Sequence, residues 1–194
     1  MDLAWGCAPH SGWAVAVLAG GSAIRPVVLD RRRVQLCPDA LPRQVYHAAQ
    51  GLPAGRAATL VGEVDVAVAS LARAVVGDLI DAARPLGELA AVAVLGRPRD
   101  LPDLEVVLGN HALLHAAEGE LYRGALHDAA EARRLTVCAA PPKHTIAEAA
   151  AAMGTTRDAL TATLDALRAD LGAPWQADHK AATAAALLAL HLRG

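Results

Sequence analysis

The 194-residue sequence has no phenylalanine, and aromatic residues make up only 3 % of it. A core without large rings must be filled with Leu, Val and Ala, through many small contacts. Cysteine is scarce and odd in number: Cys7, Cys37 and Cys138 lie far apart, and no CxxC occurs. This excludes a zinc ribbon and a disulfide framework, and leaves each thiol as a small buried hydrophobe. Neither sign of charge dominates, since 18 Lys and Arg face 20 Asp and Glu for a net −2. Coating nucleic acid by bulk electrostatics is thereby excluded, because it needs an excess of clustered cations. Long apolar runs are absent too: the longest, near 13–19 and 181–190, fall short of the roughly 18 residues a membrane span needs. The opening MDLAWGCAPH has no basic stretch ahead of an apolar run, so no secretory signal is expected. A soluble, cytoplasmic protein is the expectation. No Gly-rich phosphate loop, GxSxG elbow or HExxH motif is present.

What is present suits one core. Hydrophobic residues reach 54 % and charged ones 20 %, and the length fits a single domain spanning 1–194. The weight of Ala and Arg is what GC-rich codon usage imposes, and by itself carries no function. The alanine-rich helices offer surface to a second copy as readily as to the core, so a homo-oligomer stays open.

Residues 13–18, 24–29 and 34–37 read as three short strands, joined at Gly20-Gly21-Ser22 and at Asp30-Arg31-Arg32. Residues 38–56, with their prolines and glycines, read as a surface loop. From 57 to 84 the spacing turns helical, with Leu60, Val64, Val68, Leu71, Val75 and Leu79 at three- and four-residue steps. ELAAVAVLG is a strand buried on both faces. A helix over about 104–134, bent near Gly109 or Gly119, leads to a fifth strand, LTVCAA. Helices follow over 145–153, over 155–171 with Thr155 as cap and Gly172 as stop, and over 177–192. The order β-β-β-α-β-α-β predicts an α/β fold: a five-stranded mixed sheet, three antiparallel strands and then two α-connected ones, flanked by helices and followed by extra C-terminal helices.

This order, with His10-Ser11-Gly12 running into Trp13-Ala14-Val15-Ala16-Val17, resembles the ribonuclease H-like fold, and within it the RuvC-type Holliday-junction resolvases. The C-terminal half is similar in the same sense. Pro142, Lys143, Gly154, the helix to Leu171 and an Ala-rich last helix opening at Asp178 match the family's order. The resemblance implies four carboxylates gripping two magnesium ions that clamp a phosphodiester. Here the first of those positions falls at His10, the second in Leu95-Gly96-Arg97, and the last helix has Ala181 one turn after Asp178. One position of four is acidic, which argues against an intact two-magnesium nuclease. A centre built around His10 suits zinc, manganese or iron better than magnesium.

Other residues offer chemistry directly. In NHALLHAAEGELYR, His111, His115 and Glu118 stand at i, i+4 and i+7 on one helical stripe, a set able to hold a divalent metal and leave room for water. The same spacing arises on ordinary helix surfaces. His10 precedes a strand and Asp178 opens a helix, where a carboxylate also serves as cap or dipole partner. If the resemblance holds, His10 and Asp178 meet and the histidine face joins them, with His10, Asp178 and Glu118 as catalytic groups. Arg31, Arg32 and Arg33 form a candidate phosphate grip for nucleic acid, or a charged edge that discourages strand pairing. Residues 145–169 resemble a helix-turn-helix, but Asp158, Asp165 and Asp170 on its second helix oppose DNA reading, and helix packing explains them more simply. The expectation is a divergent metal-dependent hydrolase of phosphodiesters; the rival is a non-catalytic binding or assembly domain on the same fold.

Overall fold

Alternation along the first nine-residue strand sets the architecture. In the computed structural model, which describes residues 1–193, β1 (Asp2–His10) sends Leu3, Trp5 and Cys7 to one face of the sheet and Ala4, Gly6 and Ala8 to the other. β2 (Trp13–Gly21) and β3 (Pro26–Gln35) continue antiparallel from it. After α1 (Val45–Ala49) and α2 (Ala54–Ala83), β4 (Glu88–Leu95) returns parallel to β1. α3 (Leu104–Leu108) and α4 (His111–Glu131) then lead to β5 (Thr136–Ala140), parallel to β4. α5 (Thr145–Ala152), α6 (Arg157–Ala166), α7 (Arg168–Leu171) and α8 (Ala177–His191) follow. The sheet order is β3-β2-β1-β4-β5, the mixed five-stranded sheet expected from the sequence.

The strands themselves are partly different ones. β1 was not expected, because Gly6, Cys7 and Pro9 blur its apolar pattern. β3 unites the two strands expected at 24–29 and 34–37. Asp30-Arg31-Arg32 does not turn but stays extended, opposite a register irregularity between Leu18 and Ala19. β3 is an edge strand with one face toward solvent, so charged residues lie within it and mimic a turn. The 38–56 segment contains α1, and the long helix breaks at Gly109 while Gly119 stays helical. Asn110 caps α4, its side chain accepting from the Ala112 and Leu113 amides. Thr156, not Thr155, caps α6. α5 and α6 pack Ala149, Ala150, Leu160 and Leu164 against α8, which accounts for the helix-turn-helix-like pattern as packing.

The two faces differ in side-chain size. α2 and α4 cover Leu3, Trp5, Leu18 and Leu36 with Val64, Val68, Leu79, Tyr122 and Leu126. α8 covers Ala4, Ala8, Ala91 and Ala93 with Ala182, Ala185, Ala186 and Ala189. Alanine on both sides brings α8 close enough that the Ala182 carbonyl occupies the space a Cβ on Gly6 would take. Cys7 and Cys37 are buried and Cys138 partly so; burial pushes the Cys7 thiol up to about 12, so it stays protonated. No helix among the described residues is long and apolar enough to cross a membrane.

Near the start of α8, His179 is buried, and its Nδ1 accepts from the Gln176 amide at 3.3 Å. Burial first, then the Arg31 charge, hold its pKa below the ordinary value of 6.5, against an opposing pull from Asp178. The folded state therefore binds fewer protons than the unfolded chain just below that value. This contribution is complete above about pH 6.5 and is lost as pH falls beneath it. Thermal melts at pH 7.5 and 5.5 are expected to show a fall in Tm that is smaller for His179→Gln. Equal falls in both proteins would contradict the assignment.

Candidate functional site

His10 ends β1 and Trp13 opens β2, paired across a hairpin whose Gly12 takes φ +85°. The His10 ring stacks on Trp13 at 4.1 Å, and the Arg33 guanidinium lies over the same indole at 4.0 Å. His10 Nε2 stands 2.9 Å from Asp178 Oδ2. Asp178 is in the first turn of α8 but is not its cap, a place taken by Gln176. The two residues expected to meet do meet, because Gly6 lets α8 lie against β1.

The histidine stripe behaves differently. His111 and His115 come together, Nε2 to Nε2 at 3.1 Å. Glu118 turns inward and is only 3 % exposed. Its Oε1 accepts from the Tyr46 amide at 2.8 Å and the His47 amide at 3.1 Å, and lies 3.2 Å from His47 Nδ1. Gln44 at the start of α1 supplies no side-chain cap, so Glu118 satisfies those amides from another helix. Its Oε2 is buried without a partner among the described residues. The imidazole beside His111 and His115 is instead His47, with ring centroids 4.8 Å from His115 and 6.1 Å from His111. His47 was missed because its segment read as loop; VYHAA as one helical turn was the available signal. His10 and Asp178 do not join this cluster. Among the described residues, the groups of three metal donors are His47, His111, His115 and His127, Asp128, Glu131.

β1, β4 and β5 end on the same side of the sheet, where ligands of open α/β sheets ordinarily bind. Past β4, Gly96 takes φ +105° and the Arg123 side chain packs onto it; a Cβ there would fall 2.2 Å from Arg123 Cδ. Arg123 pairs with Glu120 at 2.9 Å. One depression is lined by Arg97, Arg99, His115 and Arg123, and a second by Lys143, His144, Arg157 and Lys180; Pro142 belongs to both. No carboxylate among the described residues lines either one. Lys180 is paired with Asp165 at 2.6 Å.

Arg31, Arg32 and Arg33 line one depression with Trp13, Gln176 and His179, yet successive residues of a strand face opposite sides and each engages a different partner. Arg31 donates to the carbonyls of Leu171, Gly172 and Ala173 at the end of α7. Arg32 pairs with Asp30 and lies 5.5 Å over the ring of Trp5, on the other side from Arg31. Arg33 lies over Trp13, the ring on which His10 stacks, and Asp178 lines the same depression as the three arginines.

Two magnesium ions do not fit the His10 end of the sheet. Magnesium takes hard oxygen donors in near-octahedral geometry, and among the described residues Asp178 is the one carboxylate paired with His10. Where the resemblance asks for a second, Gly96 lies under Arg123. No cleavage step through a magnesium pair follows from these residues.

No family model and no curated protein matches the chain by sequence. Solved structures do. Thermus thermophilus RuvC is similar with a TM-score of 0.56 and 17 % identity, covering 98 % of this chain and 94 % of that one. T. thermophilus RuvC in complex with a Holliday junction substrate gives a TM-score of 0.57 at 16 % identity, covering 100 % and 95 %. At such identity the likeness concerns fold. The chain has the ribonuclease H-like fold, distantly similar to RuvC.

Proposed function

We propose that this chain is a nucleic-acid-binding domain that keeps the ribonuclease H-like scaffold without two-magnesium cleavage. One observation carries the reading: at the carboxyl ends of β4 and β5, the depressions are lined by Arg97, Arg99, Lys143 and Arg157, with no carboxylate among the described lining residues. Cations there attract phosphate, while the hard anionic donors needed to hold magnesium beside it are missing. The likeness to a protein seen with a Holliday junction supports nucleic acid as the ligand class. Titrating fluorescent four-way-junction, duplex and single-stranded DNA in EDTA at low salt is expected to give saturable binding that weakens steeply as salt rises. No binding to any of the three would overturn the proposal.

A second reading, a phosphodiester hydrolase using zinc, manganese or iron, is favoured by His115 lining the same depression as Arg97 and Arg99. Its metal donors would be His47, His111 and His115. His10 and Asp178 would then be ligand-contacting groups, and Glu118, bonded to α1, would orient His47. Zinc- or manganese-dependent hydrolysis of an activated phosphodiester, abolished in His115→Ala, is the result that would move this reading ahead.

A further inference from the structure

We propose that His47, His111 and His115 form a site for a divalent transition metal of the zinc type, with Glu118 as the carboxylate that orients His47. The inference rests on the three histidines and the Glu118 carboxylate behind them; it and the nucleic-acid reading can each fail without the other. One donor atom from each histidine lies within 4.8 Å of the others, close enough for one ion to gather all three. Two nitrogens bound about 2.0–2.1 Å from a tetrahedral zinc stand about 3.3 Å apart. His111 and His115 already hold their Nε2 atoms at 3.1 Å, and one turn of α4 sets that spacing. A hydrogen bond between the two rings accounts for that distance by itself, so the pair alone decides nothing.

The third histidine and its support decide it. Glu118 Oε1 lies 3.2 Å from His47 Nδ1; a carboxylate accepts only, so this contact favours the tautomer with its proton on Nδ1, which would offer the Nε2 lone pair to a metal. A buried carboxylate that fixes the far nitrogen of a ligating imidazole is the arrangement that holds metal-bound histidines in register and raises their basicity. Glu118 is almost completely buried with this contact and the α1 amides, and its Oε2 has no partner among the described residues. Three neutral imidazoles with no thiolate suit zinc and cobalt, and leave a fourth position open to water or an anion. His127, Asp128 and Glu131 also cluster, but all three lie on one helix, with His127 and Glu131 3.6 Å apart at one-turn spacing. Among the described residues, no carboxylate outside this cluster pairs with His127, and the group serves as a control.

The test uses the full chain without a histidine tag. Wild type is expected to retain about one zinc per chain through desalting, and to give the visible absorption of tetrahedral cobalt when loaded with Co²⁺. Saturating zinc is expected to raise Tm by about 5–10 °C. His115→Ala, an exposed position, should keep its far-UV circular dichroism and weaken zinc binding by more than 100-fold, beyond the about 10–100-fold lost with an outer carboxylate. Glu118→Gln should fall in that smaller range, and His127→Ala should change nothing. Zinc held no better than background, or held equally by His115→Ala, would overturn the proposal.

Discussion

Replacing Gly6 by alanine is expected to lower stability by about 3 kcal/mol or more, the top of the range for overpacked cores. Most overpacking is relieved by a side chain that swings away. Here the added Cβ would stand 1.8 Å from the backbone oxygen of Ala182, so β1 or the whole of α8 must shift. Such a shift would separate the alanine faces on either side and draw Asp178 away from His10. For a chain of this size, about 2–4 °C of Tm is lost per kcal/mol, so a fall of about 6–12 °C is expected in thermal melts. Gly62→Ala provides the contrast. Gly62 lies exposed within α2 with nothing within 4 Å of its added Cβ, and the better helix former should stabilise by about 0.5–1 kcal/mol. A fall below 2 °C for Gly6→Ala would mean that α8 is not seated this close.

The combined variant Arg97→Glu, Arg99→Glu and Lys143→Glu is expected to weaken DNA binding about 100-fold at 50 mM salt, with little change in Tm. All three side chains are exposed and none forms an ion pair among the described residues, so their reversal removes phosphate attraction without leaving a buried charge. Each lost phosphate contact also lowers the slope of log affinity against log salt by about 0.9 on duplex DNA. Three contacts should therefore flatten it by about 2.7. Charge reversal of Arg31 should behave otherwise. Its guanidinium holds the carbonyls beyond α7, so it should cost stability before it costs binding. An unchanged salt slope in the triple variant would move the nucleic-acid surface away from the ends of β4 and β5.

The element order was legible because the long helices and β4 have strong periodicity, and helix caps and stops lie in short local patterns. Strand identity was less so. β1 combines Trp, Gly, Cys and Pro, whose common logic is the closeness of α8, and that closeness is a tertiary fact. The arginines of β3 resemble a turn only until the edge position is known. Alanine, first attributable to codon usage, turns out to set the distance between α8 and the sheet. At the site, the meeting of His10 with Asp178 was reachable through the fold resemblance. Pairing His111 with His115 needed only helical spacing. Glu118 was assigned to the same helical stripe as a metal donor, whereas α1 folds over it and takes its carboxylate. His47 was invisible because it lies 64 residues before His111, in a segment whose prolines and glycines hide one turn of helix.

On the proposed function, this ribonuclease H-like scaffold engages nucleic acid without two-magnesium cleavage. The most direct measurement incubates the purified chain with an end-labelled four-way junction in EDTA and in millimolar Mg²⁺, then resolves half of each sample on a native gel and half on a denaturing gel. A retarded complex is expected in both conditions, with intact strands in both. Magnesium-dependent nicking that survives the His115→Ala change but fails with Asp178→Asn would contradict it, and would return the chemistry to the junction of β1 and α8.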